Sequence, residues 1–119
     1  MPPLANFIDG KFVPPKSGQY IDDINPATEE VIAQIPDSDG DDVDAAVGAA
    51  RLAFGEWSAR PVAERSQVLL RVADLIEKNL EELARLESCD NGKAISLARR
   101  LVIPRAVENF RFFATAVLH

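Results

Sequence analysis

Val31-Ile32-Ala33-Gln34-Ile35-Pro36-Asp37-Ser38-Asp39-Gly40-Asp41-Asp42-Val43 is where the chain changes character. Before it, apolar residues come in short pairs and runs bounded by Gly, Pro and Asn, as strands and turns require. After it, Val43, Val47, Ala50, Phe54 and Trp57 recur three or four apart, the spacing of one helix face. Residues 1–36 therefore read as β-rich and 39–119 as helical, an α+β arrangement with an antiparallel hairpin and further strands followed by about four helices. Ser38 or Asp39 can cap the first helix. Asp41, Asp42 and Asp44 follow where the helix dipole favours negative charge.

Working back from that junction, Phe7-Ile8 and Phe12-Val13 flank Asp9-Gly10, a pair that tolerates positive φ in a two-residue hairpin turn. Pro14-Pro15 ends the hairpin. Tyr20 to Ile24 and Val31 to Ile35 read as two more strands around an Asn25-Pro26 turn, and strands this short need a helical layer or second sheet against them. Working forward, Pro61 suits a first helical position and precedes the stripe Val68, Leu69, Val72, Leu75, Ile76. Asn79 is a candidate cap for a third helix bearing Leu80, Leu83, Ala84 and Leu86, closed by Asn91-Gly92. Lys93 to Leu101 reads as irregular helix. Pro104 then marks a restart carrying Val107, Phe110, Phe113, Ala114 and Val117. Phe110, Phe112 and Phe113 read as core aromatics that expect neighbours on more than one side.

The chain has 119 residues, enough for one domain and one compact core burying roughly two-thirds of the unfolded surface. Hydrophobic residues make up 47% and charged residues 27%, the balance of a globular protein rather than a disordered one. A net charge of -6 argues against nucleic acid, whose phosphates demand a clustered basic surface, and against an anionic membrane surface. No apolar run is long enough for a spanning helix and no secretory start is evident, so a cytoplasmic location is the default.

One cysteine forms no internal disulfide, and one histidine, His119, builds no zinc cluster. Cys89 reads as a small buried thiol within a helix, with no base nearby to activate it. The six glycines have neither dinucleotide-fingerprint nor phosphate-loop spacing. The acidic residues at helix starts and on polar faces read as solvated, and Arg99, Arg100 and Arg105 form a loose basic cluster. Asp90 stands apart, placed to meet a cation or backbone amides ahead of Asn91-Gly92-Lys93, or else to serve as a helix-end carboxylate bonded to neighbouring backbone.

Asn6 to Phe12, Asn25-Pro26-Ala27-Thr28, Asp42-Val43 to Ala50-Arg51, Ala63-Glu64-Arg65-Ser66, Ala73-Asp74-Leu75-Ile76, Asp90-Asn91-Gly92-Lys93 and Glu108 to Ala114, in that order, resemble the beginning of an NAD(P)-dependent aldehyde dehydrogenase. The resemblance implies an α/β fold in the full-length family, with this chain as the N-terminal part of its NAD-binding domain. Catalytic and oligomerisation parts would lie elsewhere, and no catalytic or cofactor-binding residue is assigned here. Such enzymes take a small-molecule aldehyde to a carboxylic acid: a cysteine thiolate attacks the carbonyl, hydride passes to NAD or NADP, and a glutamate-activated water releases the acid.

The resemblance also implies a monovalent cation held by a backbone carbonyl before the Asn-Pro turn and by an aspartate, here Asp23, Ile24 and Asp90, and a homo-oligomer when full length. Ile103-Pro104-Arg105 with Glu108 to Ala114 is most similar to the aminomuconate and hydroxymuconate semialdehyde subgroup. Two positions depart from the family pattern. Glu29 stands where glycine is usual, which bears on the turn geometry, and Arg60 stands where a capping Ser is frequent. The rival expectation is a non-enzymatic, truncated module that binds another protein through uncovered apolar faces. A module predicts a monodisperse species with a cooperative melt, and an enzyme fragment predicts self-association.

Overall fold

The computed structural model describes residues 3–119, and its contacts gather into two compact units, Met1–Ser58 and Ala59–His119.

In the first unit, β1 (Asn6–Ile8) pairs antiparallel with β2 (Lys11–Val13), with Phe7 opposite Phe12 and their ring centroids 5.1 Å apart. The turn is Asp9-Gly10 with φ of 52° and 73°, the doubly positive pair the sequence predicts. A second hairpin joins β3 (Tyr20–Ile24) to β4 (Val31–Pro36), and its register slips at Asp23/Ile24, where Ile32 is passed over. Asn25 organises the turn between them. Its Oδ1 accepts from Ala27 N–H at 2.9 Å and its carbonyl accepts from Glu29 N–H at 2.8 Å. Glu29 takes φ of 60°, so a residue with a β-carbon occupies the left-handed geometry that glycine normally fills.

Helix α1 (Gly40–Ala59) starts on a reciprocal cap. Asp39 Oδ1 accepts from Asp41 and Asp42 N–H at 2.9 and 3.3 Å, while Asp42 Oδ2 accepts from Asp39 N–H at 3.3 Å. Of the two candidate caps, Asp39 is the one used. Ser38 is instead hydrogen-bonded to the Asn6 side chain at 2.8 and 3.2 Å, which ties β1 to the approach to α1. Asp42 is only 5% exposed, and both its oxygens accept from Lys16 N–H, at 3.1 and 3.3 Å, so one carboxylate joins the loop after β2 to the helix start. The helix forms as its periodicity predicts, but the face does not bury: Val43, Val47 and Trp57 are exposed, and Phe54 is 66% exposed.

In the second unit, α2 (Val62–Lys78), α3 (Leu80–Asn91), a short α4 (Ile95–Leu97) and α5 (Ile103–Ala116) succeed one another. Pro61 lies one position outside α2, and its carbonyl accepts from Glu64 and Arg65 N–H; no side chain caps this start. Asn79 alone separates α2 from α3. It does not cap α3 as expected: its Nδ2 donates back to the Leu75 carbonyl at 2.8 Å, closing α2 instead. Gly92, at φ 75°, ends α3 with its N–H on the Ser88 carbonyl at 3.0 Å, as Asn91-Gly92 predicts.

Between α4 and α5 the helix widens into a π turn over Ala98–Val102, closed by Ile103 N–H on the Ala98 carbonyl. The cause lies in Pro104, which has no N–H for the carbonyl four residues earlier and whose ring crowds it. A wider turn relieves both conflicts, so the irregular helix expected here is continuous rather than broken and restarted.

The buried centre of this unit is Ala84, Ala98 and Ile103, with Ile76, Leu80, Leu83 and Val102 packed on it. Helix α5 lies chiefly on α2, burying Ile103, Val107 and Ala114. Arg111 clasps the two helices by donating to Glu77 Oε2 at 2.6 Å and Asp74 Oδ1 at 3.1 Å, and these carboxylates, Glu77 first, raise the guanidinium pKa. Phe112 and Phe113, 64% exposed each, and Phe110 are not core within these residues. Cys89 is also exposed rather than buried, because the covered stripe of α3 runs through Leu80, Ala84, Glu87 and Ser88, and position 89 falls to one side of it. None of the described helices is long and apolar enough to cross a membrane.

Candidate functional site

The three residues proposed for a cation fall in both units. Asp23, half-buried, and Ile24 lie at the end of β3 in the first, beside the register slip that disturbs the ladder of carbonyls. Asp90 lies in the last turn of α3 in the second.

The neighbours of Asp90 are fastened: Ser88 Oγ donates to the Lys93 carbonyl at 2.6 Å, Lys93 N–H to Asn91 Oδ1 at 3.1 Å, and Lys93 Nζ to Glu87 Oε1 at 2.5 Å. The Lys93 ammonium, and after it the Asn91 amide, hold the Glu87 carboxyl below its ordinary pKa. The role of helix-end acceptor is thus filled by Asn91, and Asp90 is left exposed without a hydrogen bond or ion pair among the described residues. No cluster of three His, Cys, Asp or Glu side chains suited to a metal ion occurs among the described residues.

A second arrangement emerges only from the three-dimensional structure. Arg99, Arg100 and Arg105 are neighbours in sequence, but Arg99 is spent on α3, its Nε donating to both Glu81 oxygens at 2.8 and 3.0 Å. Arg100 and Arg105 carry no such partner among the described residues. They line an open groove of about 400 Å³ with Leu101, Pro104, Glu108 and Asn109. The π turn supplies Arg100 and Leu101, and the first two turns of α5 supply the rest.

Two guanidiniums at one groove are matched to a carboxylate, since each presents donors in a planar fork and neither is engaged by a carboxylate among the described residues. Sequence reasoning groups this pair with Arg99 in one loose basic cluster and does not separate them, because the π turn changes which residues share a face. The signal that could have found it is Pro104, four residues beyond Arg100 and next to Arg105.

The profile of the aldehyde dehydrogenase family matches residues 12–119. The 2-aminomuconic semialdehyde dehydrogenase of Bos taurus is 57% identical over 116 residues, covering 98% of this chain and 23% of that protein. Its counterpart in Homo sapiens is 56% identical with the same coverage. Among solved structures, the NAD+ complex of aldehyde dehydrogenase from Bacillus cereus superimposes with a TM-score of 0.92 at 43% identity, over 96% of this chain and 24% of that one. The chain therefore spans about a quarter of the relatives it matches.

Proposed function

Since the chain belongs to the aldehyde dehydrogenase family, we propose that it is the N-terminal portion of a longer oxidoreductase that oxidises an aldehyde to a carboxylic acid, with NAD accepting the hydride. The observation that carries this reading is 57% identity across nearly all of the chain to an enzyme named for a semialdehyde. Residues 1–119 then form the N-terminal part of the NAD-binding domain. The thiolate nucleophile, the water-activating carboxylate and the oligomer contacts lie outside them. In this reading the apolar faces of α1 and α5 are covered by the remainder of the longer protein, which works in the cytoplasm as a homo-oligomer and binds no nucleic acid.

The substrate we favour is a muconate-type semialdehyde. Muconic acid is a diacid, so its semialdehyde keeps one carboxylate at the end away from the reacting carbonyl. Arg100 and Arg105 suit that carboxylate: they would orient the chain of the substrate and leave the aldehyde free to reach the nucleophile. NAD supplies the hydride acceptor when bound, and the Bacillus cereus relative was solved with NAD+. No glycine of this chain has phosphate-cradle spacing, so its contacts with that cofactor are secondary. A monovalent cation would be held by Asp23, Ile24 and Asp90.

The test is to assay NADH formation from muconic semialdehydes with the 119-residue chain and with the full-length protein that carries it. Turnover is expected only from the longer protein. Turnover by the 119 residues alone, or none by the longer protein with any aldehyde, would overturn the reading.

A further inference from the structure

Arg65 is buried further than its partners allow. Among the described residues it carries the only buried side-chain nitrogen or oxygen without a hydrogen-bond partner, the Nε, and its guanidinium forms no ion pair there either. A donor withdrawn from water and given no acceptor costs stability and calls for an explanation. The place of Arg65 in the fold supplies one. Leu69 faces Phe110 and Phe113, and Ile76 packs on the cluster that holds Ile103, so α5 runs antiparallel to α2 and its end lies level with the turn of α2 that bears Arg65.

Arg65, Leu69, Val72 and Ile76 follow one another at helical spacing and form one stripe of α2. Each is half-buried: the stripe borders the buried Ser66 and Ala73 and is itself left partly uncovered. Beside it, Leu69, Phe110 and Phe113, with Asn109, line an open hollow of about 200 Å³. An element laid along this stripe would fill the hollow and strip the remaining water from the guanidinium. A wholly buried arginine persists only when it is paired, and its planar fork matches a carboxylate.

We propose that this stripe is the seat of a segment of the protein that follows residue 119, and that an Asp or Glu of that segment accepts a hydrogen bond from Arg65 Nε while its apolar neighbours fill the hollow at Leu69 and Phe113. This rests on the reading of the chain as the N-terminal portion of a longer protein, of which the Bos taurus relative gives the scale: this chain covers 23% of it. Arg65 is then the polar anchor of an otherwise apolar contact. It fixes the register of the incoming segment, because a carboxylate one residue out of place leaves two buried charges unpaired.

The experiment is a crystal structure of the full-length protein followed by a double-mutant cycle. Arg65 Nε should lie about 2.7–2.9 Å from a carboxylate oxygen of a residue beyond 119 in the same chain. An Nε left on water, on a backbone carbonyl, on an oxygen of residues 1–119 or on a second copy of the chain would overturn the proposal. Arg65→Met keeps the apolar stem and removes every donor, and it should speed thermal inactivation about tenfold, the effect of one charge-assisted hydrogen bond. Neutralising the partner carboxylate to its amide should do much the same, and both changes together no more than either alone; additive losses refute the pairing. If Arg65→Met gives no soluble protein, Arg65→Lys replaces it in the cycle with the same criterion. Aldehyde turnover is scored separately. Turnover with Arg65 unpaired refutes this inference alone, and a seated Arg65 without turnover refutes the activity alone. A protein that proves to end at residue 119 refutes both.

Discussion

Replacing Asp42 with alanine strips the acceptor from two backbone N–H groups at once, those of Lys16 and Asp39. The Asp39 bond is half of a reciprocal helix cap, and losing a cap costs about 1 kcal/mol. The Lys16 bond is part-buried, and an N–H left there without an acceptor costs about 1–3 kcal/mol. Together the loss should be about 2–4 kcal/mol, a large fraction of the stability of any small unit. Asp42→Asn keeps one carbonyl oxygen and can serve one donor but not both, so about 1 kcal/mol is expected for it. Urea unfolding gives the magnitude, and amide hydrogen exchange at Lys16 and Asp39 shows whether the loss is at the stated place. A cost below about 0.5 kcal/mol for the alanine variant, or unchanged exchange at Lys16, would refute the claim that this carboxylate fastens the loop after β2 to α1.

Three further outcomes can be checked. Glu29→Gly should raise the melting temperature: it relieves about 1–2 kcal/mol of left-handed strain and returns roughly 0.5–1 kcal/mol as freedom of the unfolded chain. A lower melting temperature would mean that the Glu29 side chain stabilises the turn. Gly92→Ala, at φ 75°, should cost about 1 kcal/mol because it introduces the same left-handed strain, read by thermal unfolding, and a neutral result would show that the end of α3 relaxes freely. The Glu87 carboxyl is depressed in the folded state, so its stabilising contribution is present above the unfolded value of about 4.3 and fades as pH falls through the lower folded value. Lys93→Met should therefore flatten the acid limb of a plot of melting temperature against pH, and an unchanged limb would rule the pair out as its source.

Features that depend on near neighbours are the ones legible in the sequence. Asp9-Gly10 and Gly92 announce their turns because positive φ is a local demand, and both stand where expected. Val43 to Trp57 announces a helix correctly, since period is local, but burial depends on what packs against the face, and no described element covers this one. The same limit explains Phe112 and Phe113. The exposure of Cys89 can be seen by placing it against Leu80, Ala84 and Ser88, one helix stripe away. The pairing of Arg100 with Arg105 is out of reach of a pattern with one period, because a change of helical pitch lies between them. Asp23 and Ile24 are nominated by resemblance alone, and Asp90 also by its place ahead of Asn91-Gly92-Lys93; the structure adds that the Asp90 carboxylate has no competing partner of its own among the described residues.

The widened turn at Ala98–Val102 also has a bearing on how insertions and deletions would be tolerated in this region. A π turn stores one surplus residue without rotating the downstream helix, whereas in an α-helix each residue added or removed turns the downstream part by about 100°. Shortening Ala98–Val102 by one residue would leave Val107 and Ala114 facing α2, at the expense of the spacing between Arg100 and Arg105 and of the room the wider turn gives Pro104. Shortening α5 by one residue between Glu108 and Phe113 would instead swing Ala114 away from its neighbour. The surplus residue is thus a place where a change of length alters the groove lined by Arg100 and Arg105 while the downstream helix keeps its face toward α2.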